Sequence, residues 1–396
     1  MLIDKKEILL LTKELLPALV KLRRDLHRRP EVSNLEIRTT GLLKSELARH
    51  HIKMRRLRMK TGALAIINSE SRPVIAIRTD IDALPVAECT RLPYRSQNDG
   101  VMHACGHDIH MAVVLGTAIL LNRLRGKIPG CIKFIFQPAE ESPPGGAKQL
   151  IKEGVLHKPD VDMIFGLHVD PMLDVGKIGL RNGPTMAAVY DIDITIIGRG
   201  GHAAAPHRTV DAVSVAAEVI ESIQKIVSRE TNPLKPIVIT FGLICGGTVR
   251  NVIADRVHLS GTARTLDSEN IPRIPALIKR TVDGICRARG AKYKIEYQSG
   301  YPVLSNDDTA NGILKNAFTD LFGRKSLKTS PQSMGGEDFS FFLEEIPGAV
   351  FQLGVRNNKI NANKPLHSPE FIADEKSIFY GTALMSYAVF KYFESL

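Results

Sequence analysis

Residues 132–141, IKFIFQPAEE, combine an apolar run typical of a buried strand with two adjacent carboxylates directly after it. The same order, an apolar run followed by ligand-type side chains, recurs at 74–82 (VIAIRTDID) and at 163–168 (MIFGLH). Another strand is predicted at 63–67, and helical stretches at 110–123 and 146–153 separate the later runs. This alternation predicts an α/β sheet with helices on both faces. Because ligands bind beyond the carboxyl ends of strands in such sheets, we expect the polar groups to converge there.

A second pattern begins near Gly183-Pro184, where the segments follow the order β-α-β-β-α-β of a small split-βαβ domain. The predicted elements are strands at 190–197, 236–243, 253–265 and 292–297 and helices at 210–227 and 271–289. After residue 300 the chain returns to helix, loop and strand. We therefore expect a large α/β domain made of residues 1–185 and 298–396, with a ferredoxin-like domain inserted at residues 186–297.

The charge of the chain raises the question of a nucleic-acid or membrane partner. The 53 basic and 42 acidic residues give a net charge of +11, but the basic residues are mostly scattered. The one dense cluster, RHHIKMRRLRMK at 49–60, has a period of two with one slip, which predicts a half-exposed strand with a bulge. Since tryptophan is absent and no recognition motif is present, we expect no nucleic-acid partner.

Cysteine usage and the amino-terminal sequence both bear on location. The five cysteines are odd in number and widely spaced in a large chain, which favours a reducing compartment over a disulfide framework. The start of the chain, MLIDKKEILLLTKELL, is typical of an amphipathic helix and has only a short apolar run. We expect a cytoplasmic protein without a membrane partner.

The side chains that could carry chemistry concentrate in five places: 80–82 (DID), 103–108 (HACGHD), Glu140-Glu141, His168 and His367. We expect the first four to lie at ends of strands, with the HACGHD segment in a strand-to-helix turn. A thiolate, imidazoles and a carboxylate suit divalent transition metals, and two ions could be held. Taken singly, each group also has a structural explanation, such as a buried thiol, a core histidine, a helix cap or a solvated turn. Their joint placement favours metal.

The chain resembles the dinuclear-metal aminoacylase and carboxypeptidase family of metallopeptidases, and the motifs that match this family span almost the whole chain. The chain resembles in particular the branch with hippurate hydrolase, N-acyl-L-amino acid amidohydrolases and plant auxin-conjugate hydrolases. The matching stretches are LRRDLHRRPE (22–31), IRTDIDALPVAE (77–88), MHACGHDIHMA (102–112), FQPAEE (136–141), FGLHVDP (165–171), GRGGHAAAPH (198–207), GGTVRNVIADRV (246–257), GTARTLD (261–267), MGGEDFS (334–340) and HSPEF (367–371).

The resemblance implies roles for particular residues. The metal ligands would be Cys105, His107, Glu141, His168 and His367, with Cys105 as the bridge between two ions. Glu140 would be the general base and acid, and Asp82 would orient a ligand.

Three further residues would complete the site. His202 would enter the partner subunit's site and stabilise the oxyanion, while Asn251 and Arg264 would hold the carboxylate end of the substrate. Two positions depart from the family pattern: Ile109 replaces a small residue, and Arg250 replaces a commonly neutral one.

The expected activity is therefore metal-dependent hydrolysis of an N-acyl amino acid to a carboxylic acid and a free amino acid. The expected cofactors are two divalent ions per subunit, chosen from Mn²⁺, Zn²⁺, Co²⁺ and Ni²⁺. The inserted domain would serve as a dimerisation or lid domain of a homodimer, with a tetramer as the other assembly. The alternatives are a dipeptidase or carboxypeptidase, an N-acetyl-diaminopimelate deacetylase, a hydrolase of ureido groups, and a non-catalytic metal-binding dimer.

Overall fold

A computed structural model describes residues 2–396, apart from the side chain of Ser299. Met1, the first residue of the expected large domain, lies outside the described residues. The chain forms two compact units. The large unit contains residues 2–183, 305–331 and 338–396, and the small unit contains residues 184–304 and 332–337.

Helices and strands alternate along most of the chain. The helices are α1 (Lys5–Arg28), α2 (Ile37–Arg49), α3 (His107–Arg123), α4 (Gly146–Lys152), α5 (Ala212–Lys225), α6 (Asn270–Arg289), α7 (Asp308–Phe322), α8 (Ser340–Glu345) and α9 (Ser377–Glu394). The strands are β1 (Lys53–Arg55), β2 (Ala63–Ile67), β3 (Val74–Asp80), β4 (Cys131–Gln137), β5 (Met163–Asp174), β6 (Ile178–Leu180), β7 (Gly183–Met186), β8 (Ala188–Ile197), β9 (Gly201–His202), β10 (Ile237–Gly246), β11 (Val252–Ile253), β12 (Arg256–Thr265), β13 (Lys292–Ser299), β14 (Leu304–Asn306), β15 (Leu327–Thr329) and β16 (Gly348–Arg356).

An eight-stranded mixed sheet forms the centre of the large unit, in the order β1-β2-β4-β3-β5-β16-β6-β15. Strand β3 runs parallel to both β4 and β5, and β16 runs parallel to β5. All residues of β3 and β4 are buried, which explains their nearly continuous apolar sequences. Helices α3 and α9 are also apolar on nearly all sides, and each packs against α1 and against the other. The predicted α/β class, with a mixed sheet among helices, is confirmed.

The small unit has the predicted β-α-β-β-α-β order. Its four-stranded antiparallel sheet has the order β10-β12-β8-β13, and helices α5 and α6 supply the apolar side chains that pack on it. Along β8 buried and half-buried residues alternate strictly, because successive side chains of a strand point to opposite faces. Helix α5 begins after Asp211, whose carboxylate accepts hydrogen bonds from the backbone N–H groups of Val213 and Ser214.

The basic cluster at 49–60 does not form the predicted bulged strand. Only Lys53–Arg55 is a strand, and the residues after it follow an irregular path. Glu153 accepts hydrogen bonds from the backbone N–H groups of Arg58 and Met59 at 2.6 and 2.7 Å. These side-chain contacts satisfy backbone groups that a strand ladder would otherwise satisfy, so the alternating sequence does not produce a longer strand.

Three other sequence predictions need correction at their boundaries. The predicted strand at 253–265 is divided into β11 and β12. The HACGHD segment follows a long irregular connection with only isolated bridges, Val32 to Ala83 and Leu84 to Met102, so this segment does not directly follow a strand. His168 lies within β5, which continues to Asp174. Among the described residues, no helix is both long enough and apolar enough to cross a membrane.

Candidate metal centre

Parallel strands bring the candidate side chains to one edge of the large sheet. Asp80, the last residue of β3, is in register with Gln137, the last residue of β4. Asp82 therefore follows one strand and Glu140 and Glu141 follow its neighbour, while His168 lies on β5 at the other side of β3. The convergence expected from the strand order is present.

The Cys105-Gly106-His107 turn depends on glycine. Gly106 has a φ of +80°, and a Cβ atom at this position would lie 2.5 Å from Cγ2 of Val169. A side chain is therefore excluded both by the backbone conformation and by the close approach of β5. This close approach places the Sγ atom of Cys105 3.4 Å from Nε2 of His168.

Backbone carbonyl groups determine which ring nitrogen of each histidine faces the site. Nδ1 of His107 lies 2.9 Å from the carbonyl oxygen of Asp82, and Nδ1 of His168 lies 2.8 Å from that of Val169. Because a carbonyl oxygen only accepts, each Nδ1 carries the proton and donates it. The Nε2 lone pairs of both rings are then available as ligands, an arrangement typical of metal-binding histidines.

Glu141 and His367 complete the group. The Oε1 atom of Glu141 lies 3.8 Å from Nε2 of His107 and 3.4 Å from Nε2 of His367, both longer than ordinary hydrogen bonds. The backbone N–H of Glu141 donates to Oδ2 of Asp82 at 3.0 Å. His367 has a left-handed φ of +63°, and its backbone N–H donates to the carbonyl of Ala104 at 2.9 Å, which ties it to the Cys105 turn.

These atoms form two triads that share one residue. The ligand atoms of Cys105, His107 and His168 lie within 4.8 Å of one another, and so do those of Cys105, Glu141 and His367. Glu140 is buried beside them and forms a further close group with His107 and Glu141. The shared thiol is therefore suitable as a bridge between two ions.

The electrostatics of the site favour a bound cation. Burial raises the pKa of the Cys105 thiol well above its ordinary value, and the neighbouring Glu141 and Glu140 raise it further. Burial also disfavours a charged His107, but Asp80 and Asp82 outweigh this effect and raise the pKa of His107 to about 10. Negative groups around the site contribute to both shifts. Nε2 of His107 also has no hydrogen-bond partner among the described residues, so the donor set fits divalent ions.

The pair formed by Asp80 and His110 differs from these residues. His110 donates from Nδ1 to Oδ1 of Asp80 at 2.7 Å, and its Nε2 accepts from the backbone N–H of Val169 at 2.9 Å. Both ring nitrogens are thus engaged, and burial lowers the pKa of His110 to about 4, so the ring is neutral. We assign His110 to the support of β5 rather than to metal. This role of His110 was not predicted from the sequence, although the spacing of three residues from His107 within one helix was a usable signal.

The remaining candidate residues lie in the small unit. His202 pairs with Val252 in a two-stranded ribbon, and the backbone carbonyl of Asn251 accepts from Ala203 at 3.1 Å, so His202 and Asn251 are neighbours. Arg264 lies on β12 and donates to the carbonyl of Met334 at 2.9 Å. Nδ1 of His202 accepts from the backbone N–H of Ala204 at 3.0 Å, which leaves the ring proton on Nε2.

Comparison with known proteins identifies the family of the chain. The model of peptidase family M20/M25/M40 matches residues 76–391. N-acetylcysteine deacetylase of Bacillus subtilis is 40% identical over 91% of this chain and 93% of its own length. N-acetyldiaminopimelate deacetylase of a Geobacillus species is 37% identical over 94% and 97%. The crystal structure of a dinuclear metal binding peptidase of the M20 family from Bacillus subtilis has a TM-score of 0.85 and 35% identity, covering 97% of this chain and all of that one. The chain therefore belongs to peptidase family M20/M25/M40 and is a hydrolase.

Proposed function

We propose that this protein is a dinuclear-metal amidohydrolase that cleaves N-acyl amino acids into a carboxylic acid and a free amino acid. The observation that supports the proposal most strongly is the pair of triads that share Cys105 beside the buried Glu140. Two relatives of nearly full length, both named as deacetylases of N-acetylated amino acids, support the substrate class.

Five residues would hold the ions. Cys105, His107 and His168 would form one set, and Cys105, Glu141 and His367 the other. When bound, two divalent ions would lower the pKa of a water molecule and polarise the acyl carbonyl group. Mn²⁺, Zn²⁺, Co²⁺ and Ni²⁺ all suit a mixed nitrogen, sulfur and oxygen donor set.

Glu140 would perform the proton transfers. Its carboxylate would take a proton as the water oxygen attacks the acyl carbon, and would give that proton to the leaving nitrogen as the C–N bond breaks. We assign this role to Glu140 and not to Glu141, because the Oε1 atom of Glu141 already faces His107 and His367. Asp82 would act through its neighbours: its backbone carbonyl fixes the His107 ring, and its carboxylate accepts from Ser33 and from Glu141.

The residues of the small unit would bind the substrate. The proton on Nε2 of His202 is available to donate to the oxyanion that develops as the acyl carbon becomes tetrahedral. Arg264 uses one N–H on Met334, and its remaining donors are suited to the carboxylate of an amino acid, with Asn251 as the second polar group.

A homodimer would form through β10. Strands β10 and β13 are the two edges of the small sheet, and an edge strand is a template for pairing. The outward residues of β13 include Lys292, Lys294 and Glu296, whose charges protect an edge from pairing. In contrast, Leu243 and Ile244 of β10 are apolar and about half exposed, at 48% and 55%. Pairing two copies of β10 about a two-fold axis would cover these side chains.

A substrate panel tests the proposed activity. The purified protein would be stripped of metal, reloaded separately with Mn²⁺, Zn²⁺, Co²⁺ or Ni²⁺, and assayed for free amine. The panel contains N-acetylcysteine, N-acetyl-diaminopimelate, N-benzoylglycine, a carbamoyl amino acid and simple dipeptides. We expect amine release from N-acyl amino acids with at least one ion and none with chelator. A higher kcat/KM for dipeptides would favour the peptidase alternative, and no release from any compound with any ion would contradict the proposal.

A further inference from the structure

One buried carboxylate outside the metal centre contacts the segment that carries Glu140. Glu36 stands directly before α2 and is completely buried. Its Oε1 atom accepts hydrogen bonds from the backbone N–H of Asn34 at 3.0 Å and from that of Ala139 at 2.8 Å. Ala139 immediately precedes Glu140, so this contact links two segments that are more than a hundred residues apart in the sequence.

The conformation of Ala139 explains why such a contact matters. Ala139 has a φ of +55°, in the left-handed region, which is unfavourable for a residue other than glycine. Its carbonyl accepts from the backbone N–H of Gly146 at 3.1 Å, and its N–H donates to Glu36. Both polar groups on the backbone of Ala139 are therefore engaged, and the direction in which the chain enters Glu140 depends on them.

Other side chains also hold this loop: Asp82 accepts from the backbone N–H of Glu141 at 3.0 Å, and the contacts of Asp338 lie at the ends of the loop. Asp338 accepts from the side chain of Gln137 at 2.6 Å and from the backbone N–H of Ala147 at 3.1 Å. These bonds fix where the loop begins and where it returns, but they do not reach Ala139. Glu36 alone, among the side chains described, hydrogen-bonds to the backbone N–H of Ala139.

Apart from its bonds to Asn34 and Ala139, the described contacts of the Glu36 side chain give no reason for a carboxylate at this position. Its Oε2 atom has no hydrogen-bond partner among the described residues, and burial raises the pKa of Glu36. It does not cap α2 with its side chain; Glu31 accepts from the N–H groups of Arg38 and Thr39 instead. A buried carboxyl group with one oxygen atom left without a partner is costly, and such groups are concentrated at functional sites.

We propose that Glu36 is a positioning residue for the general base: it holds the left-handed peptide of Ala139 and thereby aims the carboxylate of Glu140. This inference rests on the proposed role of Glu140. It does not require Glu36 to touch substrate or metal, and it predicts that only the acceptor oxygen matters, not the charge.

Three variants test the inference kinetically. Glu36→Ala removes the acceptor, Glu36→Gln keeps an acceptor oxygen without the charge, and Glu153→Ala is the matched control. Glu153 also accepts from two backbone N–H groups of a distant segment, but that segment, at Arg58 and Met59, is outside the site. All three would be assayed with metal loaded, on the N-acetyl amino acid that the wild type hydrolyses best.

A misplacement of about 1 Å costs up to about 100-fold in rate, so we expect Glu36→Ala to lower kcat by about 10- to 100-fold. Metal content should be unchanged, and KM should change by less than about threefold because substrate contacts remain. Glu36→Gln should restore kcat to within about threefold of wild type, and Glu153→Ala should affect only thermal stability.

Normal kcat in folded Glu36→Ala, or equal losses in the Ala and Gln variants, would overturn the inference. If Glu36→Ala does not fold, Glu36→Leu, which fills the volume without an acceptor, replaces it.

A double-mutant cycle shows whether Glu36 acts through Glu140. In a Glu140→Gln background, Glu36→Ala should lower the residual kcat by less than about twofold, because no base remains to be aimed. A full 10- to 100-fold further loss would overturn the inference.

Hydrogen exchange separates this inference from the proposed function. The amide of Ala139 should exchange faster in Glu36→Ala than in wild type, whichever substrate the enzyme uses, and unchanged exchange would overturn the inference. If the wild type hydrolysed nothing in the panel while this exchange increased, the activity would be wrong and the contact between Glu36 and Ala139 would still hold.

Discussion

Nε2 of His107 and Oε1 of Glu141 lie 3.8 Å apart, facing each other across the buried edge of the large sheet. Nδ1 of His107 already donates to a backbone carbonyl, so Nε2 is the ring atom that faces this carboxylate oxygen. When the ring is neutral, the lone pair of Nε2 and those of the carboxylate oxygen repel each other unless a proton or a metal ion lies near both. This relationship is the physical basis for the metal centre and for the first prediction.

Replacement of Cys105 should weaken both metal sites together, because its Sγ atom belongs to both triads. We expect wild type to hold two ions per chain and Cys105→Ala to hold at most one, measured by elemental analysis after dialysis. Added metal should raise the melting temperature of wild type more than that of the variant, since binding to the folded state stabilises it. Cys89→Ser, at an exposed cysteine, should keep both ions. Two ions in Cys105→Ala would contradict the bridging role.

Glu140 and Glu141 should respond differently to the same substitution. Glu140→Gln should keep both ions and lower kcat by about 10²–10⁴-fold, the usual contribution of general acid–base catalysis, because an amide cannot accept the proton of water. Glu141→Gln should lower metal content and activity together. Elemental analysis and kcat measured on the same preparations distinguish the two. Near-normal turnover by metal-loaded Glu140→Gln would assign the base to another residue.

The sequence was most informative where chemistry and periodicity coincide. The apolar runs of β3, β4 and β5 predicted a sheet, and the polar residues after them predicted the edge at which the site lies. Glycine at 106 between two candidate ligands also had a local physical meaning, since it permits a positive φ. These features are local, so a single sequence contains them.

The supporting contacts could not be predicted in this way. Glu36 meets Ala139, and His110 meets Val169, across long separations and through single side-chain-to-backbone bonds that leave no periodic trace. The same kind of bond, in which Glu153 accepts from the backbone N–H groups of Arg58 and Met59, replaces strand pairing in the segment 49–60, where a longer strand was predicted. The tautomers of His107 and His168 likewise depend on backbone carbonyls whose positions only the fold determines.

Lys133 should be important for stability although it lies outside the site. Its side chain is completely buried in β4, and Nζ donates to the carbonyl oxygens of Val155, His157 and Pro159 at 2.7–2.9 Å. Lys133→Met would leave these acceptors without their donor, so we expect a loss of about 2–4 kcal/mol in the free energy of unfolding, measured with urea. The exposed Lys21 is the control, and Lys21→Met should change stability by less than about 0.5 kcal/mol. Equal stability of the two variants would contradict this account.

Charge placed on the apolar edge of the small sheet should separate the proposed dimer. The double variant Leu243→Glu, Ile244→Glu would bring like charges together across a two-fold axis and remove apolar surface from the contact. We expect light scattering to give a monomer mass for this variant and a dimer mass for wild type. Lys294→Glu, on the opposite edge strand β13, should remain a dimer. The reverse result would assign the interface to β13, and a monomeric wild type would contradict the assembly.

Exchange of subunits should show whether His202 serves the partner's site. Glu140→Gln and His202→Ala would each have little activity in their own homodimers, for lack of a base or of the proposed oxyanion donor. In a mixed dimer, one site would combine the intact Glu140 of one subunit with the intact His202 of the other. Activity should therefore return on mixing. With statistical exchange, half of the dimers are mixed and each mixed dimer has one restored site. The rate per dimer should then approach about a quarter of the wild-type rate. Exchange itself would be followed with differently tagged subunits, and Ala203→Ser, beside His202, would serve as a control whose own homodimer is active without mixing. If mixed dimers are isolated and no activity returns, His202 does not act across the interface, even if the protein is a dimer.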